Sequence, residues 1–491
     1  MLSLTAMSRL LRSGGIALLV AITAGCGVAF PFEDEPTTLP AQPTTINFVA
    51  PSAVGGLSAQ TISDESGDRH VFVSYPSIAS APELAEKLRQ TTSATVRRFS
   101  KDTHARPKAL APPELNVGWQ LTAASGGVFG VRMRTGLFTG DQWRNSLGTL
   151  WYDQDARRVH DSADLLKDGH ALVTLAAIVQ NRLWTLGPDM KVDAVKPDRA
   201  MFDSLNFNPH GDLVAEFDDG QVAPARMGRI AVAVPKQEAA PLLSDFGRRT
   251  MEVVDSATPG SIPGTPPPES PPAPGDPGVR GTSVNCAATR CVALTFDDGP
   301  GPQTDRLLAI LAEYDARATF FTVGANAEAQ PALLRRIIDA GHLIANHSWS
   351  HRDLATLDIH KISDELSRTQ MMIGTVGPAP ALLRAPYGGV TAKVVTVARA
   401  LKLSIVGWSL DTADARDPDP AAVARRAIDG AHPGSVILMH DGGPATLAAL
   451  PKLLKGLAAR GYAFVSVPEL YGSRGMEPGQ VYGTGTAAPA H

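Results

Sequence analysis

Residues 291–302 read CVALTFDDGPGP. Val292–Phe296 is a short apolar run of strand type, and it delivers two adjacent carboxylates, Asp297 and Asp298, to a Gly-Pro turn. The tetrapeptide FDDG also stands at 217–220, inside LVAEFDDGQVAP. Two carboxylates before a glycine serve either as a metal and general-base site or as a polar turn. The surroundings of each copy have to decide which.

Around the second copy, strand and helix signals alternate. ATFFTV (318–323), SIVGW (404–408), SVILM (435–439) and YAFVSV (462–467) are further strand-like runs. Between them lie helical patterns. In TDRLLAILAEY, Leu307, Leu308, Leu311 and Tyr314 share one face, and ATLAALPKLLKGLAARG ends in a glycine stop. Such alternation predicts an α/β domain, a parallel sheet with crossover helices, as a barrel or an open sheet. Around the first copy the signals differ. ALVTLAAIVQNRLWTLGP reads as one helix with Leu172, Leu175, Val179 and Leu183 inward, and HVFVSYP and RIAVAV read as strands, which predicts an α+β domain. LVAEF alternates, with Leu213, Ala215 and Phe217 on one face, before Asp219-Gly220 and QVAPA. That is a hairpin signal, and a polar turn there explains Asp218 and Asp219 without chemistry.

The second copy has what a hydrolytic site needs further along the same domain. NHSWSH places His347 and His351 four apart, a spacing that can grip one metal ion, although a helical histidine pair on a solvated face is the commoner reading. One carboxylate and two histidines would leave zinc an open position for water. LLRAPYGG then brings Arg384 and Tyr387, GWSLDTADA brings Trp408, Asp411 and Asp414, and SVILMHDGG brings His440 directly after an apolar run. A polar residue at the C-terminal end of a strand is where α/β folds place their active sites.

Taken together, TFDDGP, HSWSH, RAPYG, DTAD and LMH resemble the signature blocks of the NodB-homology polysaccharide deacetylases, the family four carbohydrate esterases, over about 290 to 470. The resemblance implies a distorted (β/α) barrel and metal-dependent removal of N-acetyl groups from amino-sugar polymers. It implies that Asp297 is the general base, that Asp298, His347 and His351 hold a divalent metal, for which we expect zinc, and that Arg384 orients Asp297. It gives the Tyr387 backbone N–H to the oxyanion, makes His440 the acid for the leaving amine with Asp414 raising its pKa, and sets Leu438 and Trp408 in the substrate pocket. One position departs from the family pattern. Ala415 stands where a tryptophan usually follows the second aspartate of DxxD, which widens that wall. YPSI and 205–235 look like the module that precedes the deacetylase domain in some peptidoglycan deacetylases, which assigns no catalytic residue.

The chain has 491 residues, 44% hydrophobic and 19% charged, enough for two or three packed domains. Its net charge of -4 offers no basic field for nucleic acid. Arg9, Arg12 and the short apolar run Ile16–Ile22 form a secretory leader, and TAGC at 23–26 resembles a lipobox with Thr23 in place of the usual Leu or Val. We expect export, with a lipid on Cys26 holding the protein to the outer face of the cytoplasmic membrane. An ordinary secretory signal is the alternative. Cys286 and Cys291 then remain, and in an oxidising compartment they are expected to bridge. The expected organisation is a leader (1–25), a tether (26–45), an α+β domain (46–250), a Pro-rich spacer (255–284), the deacetylase-like domain (285–475) and a disordered tail (476–491). The expected substrate is cell-wall glycan, peptidoglycan first. Chitin-like or acetyl-xylan polymers, and a catalytically silent wall-binding lipoprotein, are the alternatives.

Overall fold

The computed structural model describes residues 43–64, 68–103, 111–256, 284–378, 381–472 and 475–483. The expected leader, Cys26, most of the tether and the bulk of the Pro-rich spacer lie outside the described residues.

Among the described residues, the C-terminal region builds a nine-stranded sheet in the order Leu410–Asp411, Val436–His440, Arg290–Asp297, Thr319–Thr322, Leu343–Asn346, Leu382–Leu383, Ser404–Val406 and Val481–Tyr482, with Tyr462–Val465 on the first half of Arg290–Asp297. Every pairing is parallel. Ser404–Val406 and Leu410–Asp411 are separated by only Gly407, Trp408 and Ser409, yet one is the last strand but one and the other is the first in the strand order. A connection that short forces the sheet to curl until its two arcs meet.

The two-residue period of a strand sorts the side chains. Val292, Leu294 and Phe296 face outward with Ile437 and Met439 and pack under Leu307, Leu311, Leu450, Leu453 and Leu457 of the helices Thr304–Ala312 and Pro444–Ala459. Cys291 and Ala293 face inward with Phe321, Val406, Val436 and Val465. Phe296 is fully buried, so Phe296→Ala would cost about 3–5 kcal/mol. By the same alternation Thr295 and Asp297, and across from them Leu438 and His440, reach the barrel interior at its C-terminal mouth. Cys286 and Cys291 are joined, with their Cα atoms 5.5 Å apart, at the entry to this central strand.

The N-terminal region holds a six-stranded sheet, Leu57–Asp64, His70–Ile78, Glu114–Ser125, Val128–Phe138, Trp143–Asp153 and Arg158–Asp161 in that order. It is antiparallel except where His70–Ile78 meets Glu114–Ser125, a pair joined through the helix Pro82–Asp102. A three-stranded antiparallel sheet follows, Leu205–Phe207, Leu213–Phe217 and Ile230–Val234. The helix Gly169–Thr185 packs on it through Leu172, Leu175, Val179 and Leu183, the face read from its period.

Two sequence expectations need correction here. LVAEF does turn back on itself, but its partner is Ile230–Val234, not QVAPA, because Asp218 and Asp219 are drawn sideways to a third strand. Asp218 Oδ1 accepts from the Leu147 N–H (2.8 Å), and Asp219 Oδ2 accepts from the Asn145 N–H (2.8 Å) and Nδ2 (2.7 Å). Within the tail expected to be disordered from residue 476, residues 476–483 instead return to the barrel, and the remainder lies outside the described residues. Val481–Tyr482 extends the sheet beside Ser404–Val406, and the Tyr482 ring meets Tyr471 edge-on at 5.1 Å.

Candidate active site

The second FDDG ends the strand Arg290–Asp297. Asp297 Oδ1 accepts from Arg384 Nη1 at 2.8 Å. Arg384 is 1% exposed, and the rest of its fork is fixed on Thr295 Oγ1 (2.8 Å), the Gly407 carbonyl (2.8 Å) and the Val406 carbonyl (3.2 Å). Its guanidinium lies 4.2 Å from the centre of the Phe321 ring. A planar cation with every edge committed leaves Asp297 one orientation.

Asp298 turns the other way, with φ at 73°. Its Oδ1 lies 3.0 Å from His351 Nε2 and 3.7 Å from His347 Nε2. The histidines do not stand on a helix. They sit in the loop that follows the strand Leu343–Asn346, and both are fully buried, which removes the solvated-helix reading. His347 Nδ1 donates to the Arg384 carbonyl at 2.8 Å, so the neutral ring carries its proton there and presents Nε2 as the ligand atom. His351 Nδ1 meets the Tyr387 hydroxyl at 3.2 Å. Asp298, Ser348, His351 and Tyr387 all have positive φ, a region costly for side-chain-bearing residues and typical of over-determined functional sites.

These residues fit a metal ion. The three ligand atoms lie within 4.8 Å of one another. The Asp298 oxygens are buried and take no hydrogen bond from a backbone N–H, hydroxyl or amide, a costly state for a carboxylate unless a cation serves it. Burial works against the Asp298 charge, but positive charge on His351, and on His440 and His347, outweighs it when these rings are protonated and holds the carboxyl below its usual range. One carboxylate and two imidazoles suit several divalent ions.

His440 ends the strand Val436–His440 as the register partner of Asp297. Its Nδ1 lies 2.9 Å from Asp414 Oδ1, and its backbone N–H donates to Asp414 Oδ2 at 2.8 Å. Thr446 Oγ1 also donates to Asp414 Oδ2. Burial would raise the Asp414 carboxyl, yet His440 and these hydrogen bonds bring it below its ordinary value. Tyr387, Trp408, Leu438 and His440 border one pocket, and Ala415 leaves room in its wall. The pocket also has a side chain from outside the barrel, His70. The sequence showed HVFVSYP as a strand. Its alternation puts His70, Phe72 and Ser74 on one face, but nothing in the letters says what that face meets.

A polysaccharide deacetylase family model matches residues 285–406. The chain is 35% identical over 193 residues to the peptidoglycan-N-acetylglucosamine deacetylase PgdA of Listeria monocytogenes, covering 39% of this chain and 41% of that protein. It is 35% identical over 186 residues to the peptidoglycan-N-acetylglucosamine deacetylase of Bacillus cereus, covering 37% of this chain and 68% of the relative. It is 36% identical over 194 residues to a chitooligosaccharide deacetylase of Sinorhizobium fredii, covering 36% of this chain and 90% of the relative. The chain therefore belongs to the polysaccharide deacetylase family. It spans about two fifths of the length of the Listeria relative it matches.

Proposed function

We propose that the chain is a divalent-metal-dependent N-deacetylase of cell-wall amino-sugar polymer, with peptidoglycan as its substrate. The observation that carries this reading is a single mouth holding an Arg-oriented carboxylate, a buried Asp-His-His cluster and an Asp-paired histidine. Asp298, His347 and His351 would hold the metal, and zinc is the first ion to test. A cation there polarises the acetamide carbonyl and makes hydroxide accessible near neutral pH.

The remaining steps belong to the chain's own side chains. Asp297, held by Arg384, takes a proton from the attacking water as the bond to the acetyl carbon forms. The Tyr387 backbone N–H meets the negative charge that develops on the carbonyl oxygen. His440 gives its proton to the leaving nitrogen as the carbon–nitrogen bond breaks, and Asp414 stabilises the imidazolium beforehand. Leu438 and Trp408 wall the pocket around the acetyl group. Peptidoglycan is favoured because the Listeria and Bacillus relatives carry that substrate in their names, while the Sinorhizobium relative keeps chitin-like oligomers as the second reading. The leader-like N-terminus and TAGC at 23–26 support export and a lipid on Cys26, which would set the enzyme at the outer face of the cytoplasmic membrane, facing the wall.

The deciding assay is release of free amines from purified peptidoglycan by the metal-loaded protein, beside chitooligosaccharide and acetyl-xylan. Amine release that stops on chelation and returns with zinc is expected. Loss of acetyl only from xylan, or no release from any polymer, would overturn the reading.

A further inference from the structure

The strand His70–Ile78 is buried almost throughout, and its alternate side chains land on separate parts of the barrel mouth. The His70 ring lies on the Tyr387 ring, with centroids 3.8 Å apart and planes within 4°. The Phe72 ring lies on His351 at 4.3 Å and 17°. Ser74 Oγ donates to Asn326 Oδ1 (3.3 Å), whose Nδ2 donates to the Asp298 carbonyl (2.9 Å). The neighbouring strand continues the contact from positions in register with His70 and Phe72. Glu114 accepts from the Asp353 N–H (3.2 Å), and Asn116 Nδ2 donates to the Ser350 carbonyl (2.8 Å). The loop 347–353 that carries both histidines is thus gripped from outside its own domain.

Tyr387 needs that grip. Its backbone sits at φ 57°, ψ 13°, a conformation a tyrosine holds only when its surroundings fix it, and its hydroxyl reaches His351. A stack nearly parallel to the whole phenol ring fixes two rotations at once, which an aliphatic side chain of equal bulk cannot do. His70 also lines the same pocket as Tyr387, Trp408, Ala415, Leu438 and His440.

We propose that the N-terminal sheet is a working part of the deacetylation site and that His70 is its positioning residue, holding Tyr387 in place and closing the sugar pocket. This rests on the function proposed above. The ring plane does the positioning, so a planar replacement keeps the function and an aliphatic one of similar bulk does not.

The test compares full-length wild type, His70→Leu and His70→Phe, each checked for folding by its melting transition and for bound zinc. Turnover of an N-acetylglucosamine oligomer and calorimetric binding of the same oligomer are both measured. His70→Leu is expected to lower kcat/KM by about 10–100-fold, the scale for misplacing a positioned group, with zinc content unchanged. His70→Phe is expected to stay within about threefold of wild type, because the stack remains. Equal activity in all three proteins overturns the proposal, as does equal loss in both variants. If wild type turns over no glycan, the functional reading fails separately and binding decides. Affinity weakened by His70→Leu but kept by His70→Phe supports the positioning role, and affinity that is absent or unchanged overturns it.

Discussion

Asp297 and His440 end neighbouring parallel strands side by side, each answering to a counter-ion from a different part of the chain. Asp297 meets Arg384, and His440 meets Asp414. A base and an acid must hold opposite protonation states at one pH, and separate partners let each be set without disturbing the other.

The two copies of FDDG should separate cleanly under mutation. Asp298→Ala is expected to abolish metal binding and amine release. Asp219→Ala removes only the bonds to Asn145, and is expected to leave both intact with a modest loss of stability, about 1–3 kcal/mol. Metal analysis and turnover on the two purified proteins check this, and equal loss of activity in both with folding kept would refute the assignment.

His440→Ala is expected to keep the metal and lose kcat by about 10²–10⁴-fold. Asp414→Asn removes the charge that favours the imidazolium, so His440 would lose its proton at lower pH. The alkaline limb of the pH–rate profile should move down accordingly. An empty metal site in His440→Ala would make the histidine a ligand, and an unmoved limb in Asp414→Asn would break the pairing.

Arg384→Ala leaves Asp297 buried without its cation. Breaking a buried pair from one side costs about 3–5 kcal/mol, so a large drop in denaturant midpoint should accompany loss of activity. Arg384→Lys keeps the charge but not the fork that reaches Thr295, Gly407 and Val406, and is expected to recover stability only in part. Stability of Arg384→Ala equal to wild type would contradict the fork's structural role.

His342 supplies an acid-sensitive element away from the chemistry. It is buried edge-on to Phe320, and burial pushes its pKa down to about 4. Above its ordinary pKa the ring is neutral in both folded and unfolded chains. As pH falls from about 6.5 toward 4 the unfolded chain takes up the proton first, so stability drops across that window. His342→Phe is expected to lose less stability than wild type between about pH 7.5 and about pH 5. Parallel midpoint shifts in the two proteins would show that His342 does not titrate as argued.

The alternation of apolar runs and helical faces made the parallel sheet legible, and Asp297, Asp298, His347, His351, Arg384 and His440 stood out because their blocks occur in one order within one domain. Four strands of that parallel sheet escaped, and the reason is physical. Leu343–Asn346, Leu382–Leu383, Leu410–Asp411 and Val481–Tyr482 are two to four residues long, too short for a period, and are held by neighbours rather than by propensity. Thr295 reads as an ordinary strand residue and Asn326 carries no signal in the sequence, and only their partners, Arg384 and the Asp298 carbonyl, give them a place in the site. His70 was hidden most deeply, since its partner Tyr387 lies more than three hundred positions further along the chain.

The short bridge of Gly407, Trp408 and Ser409 joins the two arcs of the barrel like the clasp of a bracelet. The two carbonyls that hold the Arg384 guanidinium belong to Val406 and Gly407, at the clasp itself, and Arg384 in turn holds Asp297 through its guanidinium and His347 through its own carbonyl. A substitution that opens the clasp is therefore expected to disturb Asp297 and His347 together, the proposed base and one proposed metal ligand.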